Sequence, residues 1–97
     1  MSNAFTPREH GCTPVMVDGT TVKTVAVSVA STVWVDNRGT TDLLVEFLSN
    51  PLDVDSFRIP PKSSQPLSRP TSATLIYLKR PTGSAPEQAY ITQGYGI

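Results

Sequence analysis

Proline spacing is the sequence feature that most limits how this chain can fold. Nine prolines are spread through 97 residues, and a proline cannot donate to a strand ladder or continue a helix without breaking it. Between the prolines, apolar residues alternate with polar ones, and in the segment 22–30 Val25, Val27 and Val29 fall on one face. A period of two indicates a half-buried strand. The pattern therefore predicts short strands joined by tight corners.

Strand-like segments recur along the chain with turn residues between them. The clearest are residues 15–17, 22–30, 33–35, 57–59, 73–79 and 89–92. The segment 42–49 has apolar residues at both helical and strand spacing. We favour a strand there, because a turn at 36–39 precedes it and an isolated helix of two turns would be marginal. The predicted fold is all-β, a single antiparallel β-sandwich or small jelly roll of about seven to eight short strands over residues 15–97.

Residues 1–14 differ from the rest of the chain, because they show neither a helical nor a strand period. We expect an extended N-terminal arm here, with Phe5 as its large apolar side chain. An arm of this kind binds a neighbouring molecule by adding a strand to one of its sheets. The predicted organisation is therefore an arm over residues 1–14 and a sandwich domain over residues 15–97.

The composition limits the classes of partner. Eight basic and eight acidic residues give zero net charge, whereas a surface that binds nucleic acid needs a basic excess. Charged residues make up 16% of the chain, below the roughly 25% of a typical soluble domain, which is expected of a subunit that lies against another molecule. We expect no membrane partner, since no apolar run approaches the ~20 residues of a span and no signal peptide is recognisable. The single cysteine excludes an internal disulfide and fits synthesis in a reducing cytoplasm.

No group of residues has the spacing of a catalytic or metal site. His10 and Cys12 are two ligands where a structural zinc needs four, and Asp53 and Asp55 lack the glycine-bent loop of a calcium site. These residues also do not supply the nucleophile, base and oxyanion donors that an active site combines. We therefore predict no catalytic residues, no metal, no cofactor and no enzymatic activity.

Aromatic side chains are the main candidates for contacts with a partner. Trp34 lies on the opposite strand face from Val33 and Val35, so it points outward as an interface anchor if the valines point into the core. A register change at 31–32 would instead place Trp34 inside, and the sequence leaves both arrangements open. The chain also has three tyrosines, Tyr77, Tyr90 and Tyr95. They either pack the strand ends or form a platform on which a sugar ring stacks.

The segment 73–79 is apolar on both of its strand faces, and one of these faces carries Ile76 and Leu78. A strand of this kind is central in a sandwich, or its outer face is covered by a partner. Ile76 and Leu78 are therefore candidates for the covered face. We predict five partner-binding residues: Phe5, Trp34, Ile76, Leu78 and Tyr95.

The order of these elements resembles that of a family of viral proteins. The residues that carry the likeness are the strand–turn–strand 32–40 (TVWVDNRGT), the element 57–64 (FRIPPKSS), and the closing pair 74–79 (TLIYLK) and 89–94 (AYITQG). As a pattern over residues 15–97, they resemble the small β-sandwich decoration or cement proteins of tailed bacteriophage virions.

This resemblance implies a non-catalytic structural protein that binds and stabilises the phage capsid shell. Its partner would be the major capsid protein or another virion protein, and such proteins are often homo-oligomers, with a trimer favoured. It would be synthesised in the host cytoplasm and would lie on the capsid surface of the virion. Two alternatives stay open: a head–tail or tail-tip structural component, and, in a different class, a small carbohydrate-binding β-sandwich module that uses the tyrosines.

Overall fold

The computed structural model describes residues 5–96 and contains eight β-strands and no helix over that range. The strands are β1 (Thr6–Val17), β2 (Lys23–Ala26), β3 (Thr32–Asn37), β4 (Leu43–Glu46), β5 (Phe57–Ile59), β6 (Ser64–Ser68), β7 (Leu75–Lys79) and β8 (Glu87–Tyr95). The all-β prediction and the predicted number of strands are confirmed. None of the described residues belongs to a helix long and apolar enough to cross a membrane.

The strands form two four-stranded antiparallel sheets. Sheet A has the order β1-β8-β3-β6, and sheet B has the order β2-β7-β4-β5. The pairing is nested, since β1 pairs with β8, β2 with β7, β3 with β6, and β4 with β5. A ribbon of nested pairs rolled into two facing sheets is the jelly-roll arrangement. Of the two architectures that the sequence left open, the strand order therefore selects the jelly roll.

The core lies between the two sheets and is made of their inward-facing aliphatic residues. The cluster consists of Val17, Val25, Val27, Val33, Val35, Leu43, Val45, Ile59, Ile76, Leu78, Ala89 and Ile91. Valine predominates because a β-branched side chain packs well on a pleated surface. The prediction for Val29 was wrong: the strand ends at Ala26, the chain turns at 27–30, and Val29 is 53% exposed.

The ambiguous segment 42–49 contains the strand β4 (Leu43–Glu46), as we favoured, and bends at 47–49. Leu43 and Val45 face the core between the sheets. Pairing with β5 on one side and β7 on the other satisfies the backbone of this segment, which an isolated short helix would not achieve in this position.

Residues 6–14 are extended, as expected, but they belong to the sandwich itself. They form most of β1, which pairs with β8 from Thr6 opposite Tyr95 to Val17 opposite Glu87, so no break in structure separates residue 14 from residue 15. The prolines in β1 are tolerated because it is an edge strand, and one side of an edge strand has no ladder to interrupt. Residues 8–11 bulge out where the register shifts between Pro7 and Cys12, and such a bulge discourages pairing with another chain.

Polar side chains close the sandwich at the end where β3 stops. Asn37 is fully buried, and its Nδ2 donates to the carbonyl oxygens of Thr41 (2.9 Å), Ile59 (2.9 Å) and Pro60 (3.1 Å). Its Oδ1 accepts from the backbone N–H of Gly39 at 3.0 Å. One side chain thus satisfies the turn after β3 and the end of β5 together, which a buried backbone requires.

Candidate partner-binding surfaces

Two of the predicted partner-binding residues lie inside the protein. Ile76 and Leu78 are 0% exposed and belong to the core, so the prediction that they form an outer, partner-covered face is corrected. Both faces of β7 are apolar because it is a central strand of sheet B, paired with β2 and β4. Its inward face carries Ile76 and Leu78, and its outward face carries the half-buried Leu75 and Tyr77.

Trp34 points outward from sheet A, since Val33 and Val35 on either side of it are fully buried in the core. Its indole is not bare, however, because the Phe5 ring packs against it with centroids 5.4 Å apart and planes tilted by 49°. A side chain on Gly94 would come within 2.6 Å of the Phe5 ring, so Phe5 lies directly on the backbone of β8. The two aromatic residues therefore contact each other, and their contact with a partner stays a prediction.

The three tyrosines do not form one platform. Tyr77 is on the outer face of sheet B, whereas Tyr90 is on the outer face of sheet A, where the Arg38 guanidinium lies 5.3 Å from its ring centroid. Tyr95 is at the end of β8, opposite Thr6, and is 47% exposed. A sugar ring cannot stack on Tyr77 and Tyr90 together, because the thickness of the sandwich separates them.

The candidate metal ligands of the sequence are dispersed or already bonded. His10 and Glu9 form an exposed pair with 3.6 Å between the imidazole Nε2 and a carboxylate oxygen, and Cys12 is exposed beyond the bulge. The Asp53 carboxylate accepts hydrogen bonds from Lys79 and Thr82. Over residues 5–96 no three metal-ligating side chains come together.

The segment 47–56, which we call the strap, carries exposed apolar side chains that the sequence analysis did not select. It connects β4 to β5, and its Leu48, Leu52 and Val54 are 65%, 56% and 88% exposed. Phe57, which follows the strap, is 45% exposed. Four of the seven large apolar side chains that are exposed within residues 5–96 thus fall between positions 48 and 57, and such grouping, unlike single exposed residues, is typical of interaction surfaces.

The strap lies across the outer face of sheet B. Leu44 is on that face, and its register neighbours are Arg58 on β5 and Lys79 on β7. Asp53 of the strap bonds to both, since Lys79 Nζ donates to its Oδ1 at 3.1 Å and Arg58 donates to its carbonyl oxygen. Asp53 and its two partners therefore lie over Leu44, which is fully buried although it does not belong to the main core cluster.

Local hydrogen bonds fix the conformation of the strap. The N–H of Leu52 donates to Ser56 Oγ at 2.7 Å, and the N–H of Thr82 donates to Asp53 Oδ2 at 3.1 Å. Hydrogen bonds from the Thr82 side chain and backbone, followed by the one from Lys79, lower the pKa of Asp53 to about 2. Donors that favour the charged form of a carboxylate act in this direction. The exposed apolar residues of the strap thus project from a loop that is already ordered.

An apolar cleft opens next to the strap, between an edge strand of each sheet. It has a volume of about 210 Å³ and is lined by Val45, Glu46, Phe47, Phe57, Leu67 and Ser68. Phe57 comes from β5 at the edge of sheet B, and Leu67 and Ser68 come from β6 at the edge of sheet A. We call this feature the edge cleft.

Sequence reasoning missed the strap because a loop has no period to reveal which side chains are buried. The available signal was the presence of leucine and valine on both sides of Asn50 and Pro51, residues that stop a strand. Apolar residues on both sides of such a stop do not belong to one regular strand, so they cannot all point into the core.

No family model, no curated protein and no solved structure matches this chain. The likeness to phage decoration proteins therefore stays a prediction from the sequence pattern. A jelly roll hosts many unrelated functions, so the function of this chain depends on the chemistry of the strap and the edge cleft.

Proposed function

We propose that this chain is a non-catalytic structural protein of a tailed-bacteriophage virion, which binds the capsid shell as a decoration or cement protein. The observation that carries this proposal is the strap, where Leu48, Leu52 and Val54 are exposed on an ordered loop. Large apolar side chains grouped on an exposed segment are typical of a surface that a partner covers. The resemblance of the sequence to phage decoration proteins indicates that the covering surface is the capsid shell.

The strap is suited to tight contact with a shell. Its ordering is achieved before binding, so little conformational entropy is lost when it docks. Each Å² of apolar surface removed from water contributes roughly 25 cal/mol. The charges of Asp53, Arg58 and Lys79 beside this surface are paired within the chain, and Asp55 is the one charged residue of the strap for which no partner is found within residues 5–96. Such a surface matches an apolar patch on the major capsid protein or on another virion protein.

A trimer located on the capsid surface remains our favoured arrangement, because three copies multiply a weak contact when the sites are spaced to match. A head–tail or tail-tip component would use the same strap, and the location in the virion distinguishes the two. The carbohydrate-binding alternative has lost support, since Tyr77 and Tyr90 are on opposite faces of the sandwich.

The test is occupancy on purified capsids that lack this protein. A variant with Leu48→Ser, Leu52→Ser and Val54→Ser removes the exposed apolar surface without touching Asp53 or the core. A matched control, Val29→Ser with Met16→Ser, removes exposed apolar side chains far from the strap in sequence. Both residues are about half exposed (53% and 49%).

We expect the strap variant to lose at least about tenfold in capsid affinity, equivalent to roughly 1.4 kcal/mol, while the control binds like the original chain. Equal binding by both variants would remove the strap from the interface. Light scattering of the purified protein tests the favoured trimer separately, since a monomer at every concentration contradicts self-association in the absence of the shell.

A further inference from the structure

We propose that the edge cleft binds one apolar side chain of an extended polypeptide segment that carries a lysine or arginine next to that side chain. This inference rests on the proposed function in one respect, that the partner is a protein, and it names the chemistry of the partner segment. The cleft, its two strand edges and the carboxylate of Glu46 beside it each contribute an independent reason.

The size and lining of the cleft favour a single side chain. Its volume of about 210 Å³ is below the roughly 300–1,000 Å³ of pockets that hold a complete small molecule. Phe47, Phe57 and Leu67 give the cleft apolar walls. Val45 also lines it and is a core residue that is 2% exposed, so the cleft reaches the hydrophobic core. A leucine or phenylalanine side chain fits this combination of size and polarity.

The strands beside the cleft favour an extended segment. β5 and β6 are the last strands of their sheets, so each presents one side of its backbone that pairs with no other described strand. A peptide that adds to a sheet edge gains main-chain hydrogen bonds, and its alternate side chains enter pockets beside the edge. Pro66 in the middle of β6 removes a donor there, so β5 is the better edge for this pairing.

The charge of Glu46 favours a basic residue in the partner. Hydrogen bonds or ion pairs within residues 5–96 engage six of the eight acidic side chains, and the two for which none is found in that range are Glu46 and Asp55. Arg58 and Lys79, which lie opposite Leu44 on the neighbouring strands, are already bonded to Asp42 and Asp53. They are therefore not the partners of Glu46. Glu46 lies beside the cleft, and its half-buried side chain is on the outer face of sheet B, opposite Tyr77. In an extended segment the neighbour of the inserted side chain points to the opposite face, so a cation at that position can pair with this carboxylate.

The experiment uses synthetic peptides and the full chain. The probe is a seven-residue acetylated threonine peptide with a central phenylalanine flanked by two lysines. One matched peptide has alanine in place of phenylalanine, and another has glutamate in place of both lysines. Binding is followed by backbone amide chemical shifts, which report both the affinity and the location of the peptide.

We expect the lysine–phenylalanine peptide to shift the amides of Glu46, Phe57 and Ser68. The alanine peptide should bind at least about tenfold more weakly, as loss of a buried aromatic side chain implies. Glu46→Gln should weaken the lysine peptide by about two- to fivefold, the size of an exposed ion pair, and Asp55→Asn should not. Phe57→Ser, at a partly exposed position, should abolish the preference for phenylalanine over alanine.

Two results would overturn the inference: no shift at the cleft residues with any peptide, or equal binding of the lysine and glutamate peptides. Either result is separate from the proposed function. If the peptides do not bind while the strap variant loses capsid occupancy, the edge cleft is not a binding site and the virion assignment stands. If the peptides bind while the original chain shows no occupancy on capsids, the assignment fails and the cleft does not.

Discussion

The Arg80 guanidinium donates to the side-chain oxygen of Asn37 at 3.0 Å, and both side chains are fully buried. The charge is matched by neutral oxygens, since the other acceptors of Arg80 are the carbonyls of Val17, Thr41, Glu87 and Gln88 and the hydroxyl of Thr41. Burial lowers the pKa of Arg80, yet a guanidinium remains protonated at any physiological pH. The pair therefore joins the ends of both sheets.

Asn37→Ala is expected to destabilise the protein by about 3 kcal/mol. The change removes the acceptor of a buried guanidinium and leaves buried carbonyls without their donor, and each unsatisfied group costs about 1–3 kcal/mol. Urea unfolding measures the loss. The matched control is Asn50→Ala in the exposed part of the strap, where a change within about 0.5 kcal/mol is expected. Similar losses for both variants would contradict a special role of Asn37.

Gly39→Ala is expected to cost about 1–3 kcal/mol through overpacking. A Cβ at this position would lie 2.6 Å from the nearest guanidinium nitrogen of Arg80, so the buried group would have to move away from its acceptors. Gly83→Ala is the comparison, because its Cβ would meet no atom within 4 Å and only its φ of 94° is unfavourable. Thermal unfolding ranks the two. A larger loss at Gly83 would mean that Arg80 adapts at little cost.

Phe5→Ala is expected to cost about 1 kcal/mol and to shift the fluorescence of Trp34 to longer wavelength. Paired aromatic rings contribute about 0.5–1.5 kcal/mol beyond the area they bury, and removing Phe5 admits water to the indole. Trp34 is the only tryptophan, so the emission spectrum reports it alone. Phe57→Ala is the control, and it should leave the emission unchanged. An unaltered spectrum for Phe5→Ala would refute the contact.

Acid is expected to loosen the strap before it unfolds the core. Bonds from Thr82 and Lys79 hold the pKa of Asp53 at about 2, below its ordinary value of about 3.9. A carboxylate with a depressed pKa stabilises the folded state above its ordinary pKa, and this contribution disappears as the pH falls from about 4 through 2. Backbone donors also lower the pKa of Glu87, at Thr40, and of Asp18, at Thr21 and Thr20.

Asp53→Asn should therefore be less stable than the original chain at pH 7 and should lose less stability between pH 4 and pH 2. Denaturant unfolding at several pH values measures this difference. Asp55→Asn serves as the control, and its profile should follow that of the original chain. A profile of Asp53→Asn that is parallel to the original throughout this range would contradict the proposed contacts of Asp53.

The sequence predicted the parts of the fold that depend on local period. Alternation placed Val25 and Val27 in the core, and the turn residues gave the number of strands. Alternation could not tell which face of β7 points inward, because both faces are apolar and only pairing with β2 and β4 decides it. Residues 6–14 could not be recognised as a strand for a similar reason. Their prolines and bulge interrupt the period, and the pairing that stabilises them comes from β8, which is distant in sequence.

The nested pairing also sets the order in which the protein can become stable during its synthesis. β8 lies between β1 and β3 in sheet A, yet it is the last of the described strands to leave the ribosome. Until then β1 has no partner, and the valines of β3 face a half-built sheet. A nascent chain therefore gains its native structure only after β8 has emerged, and truncation within β8 removes a central strand of the sheet rather than its edge.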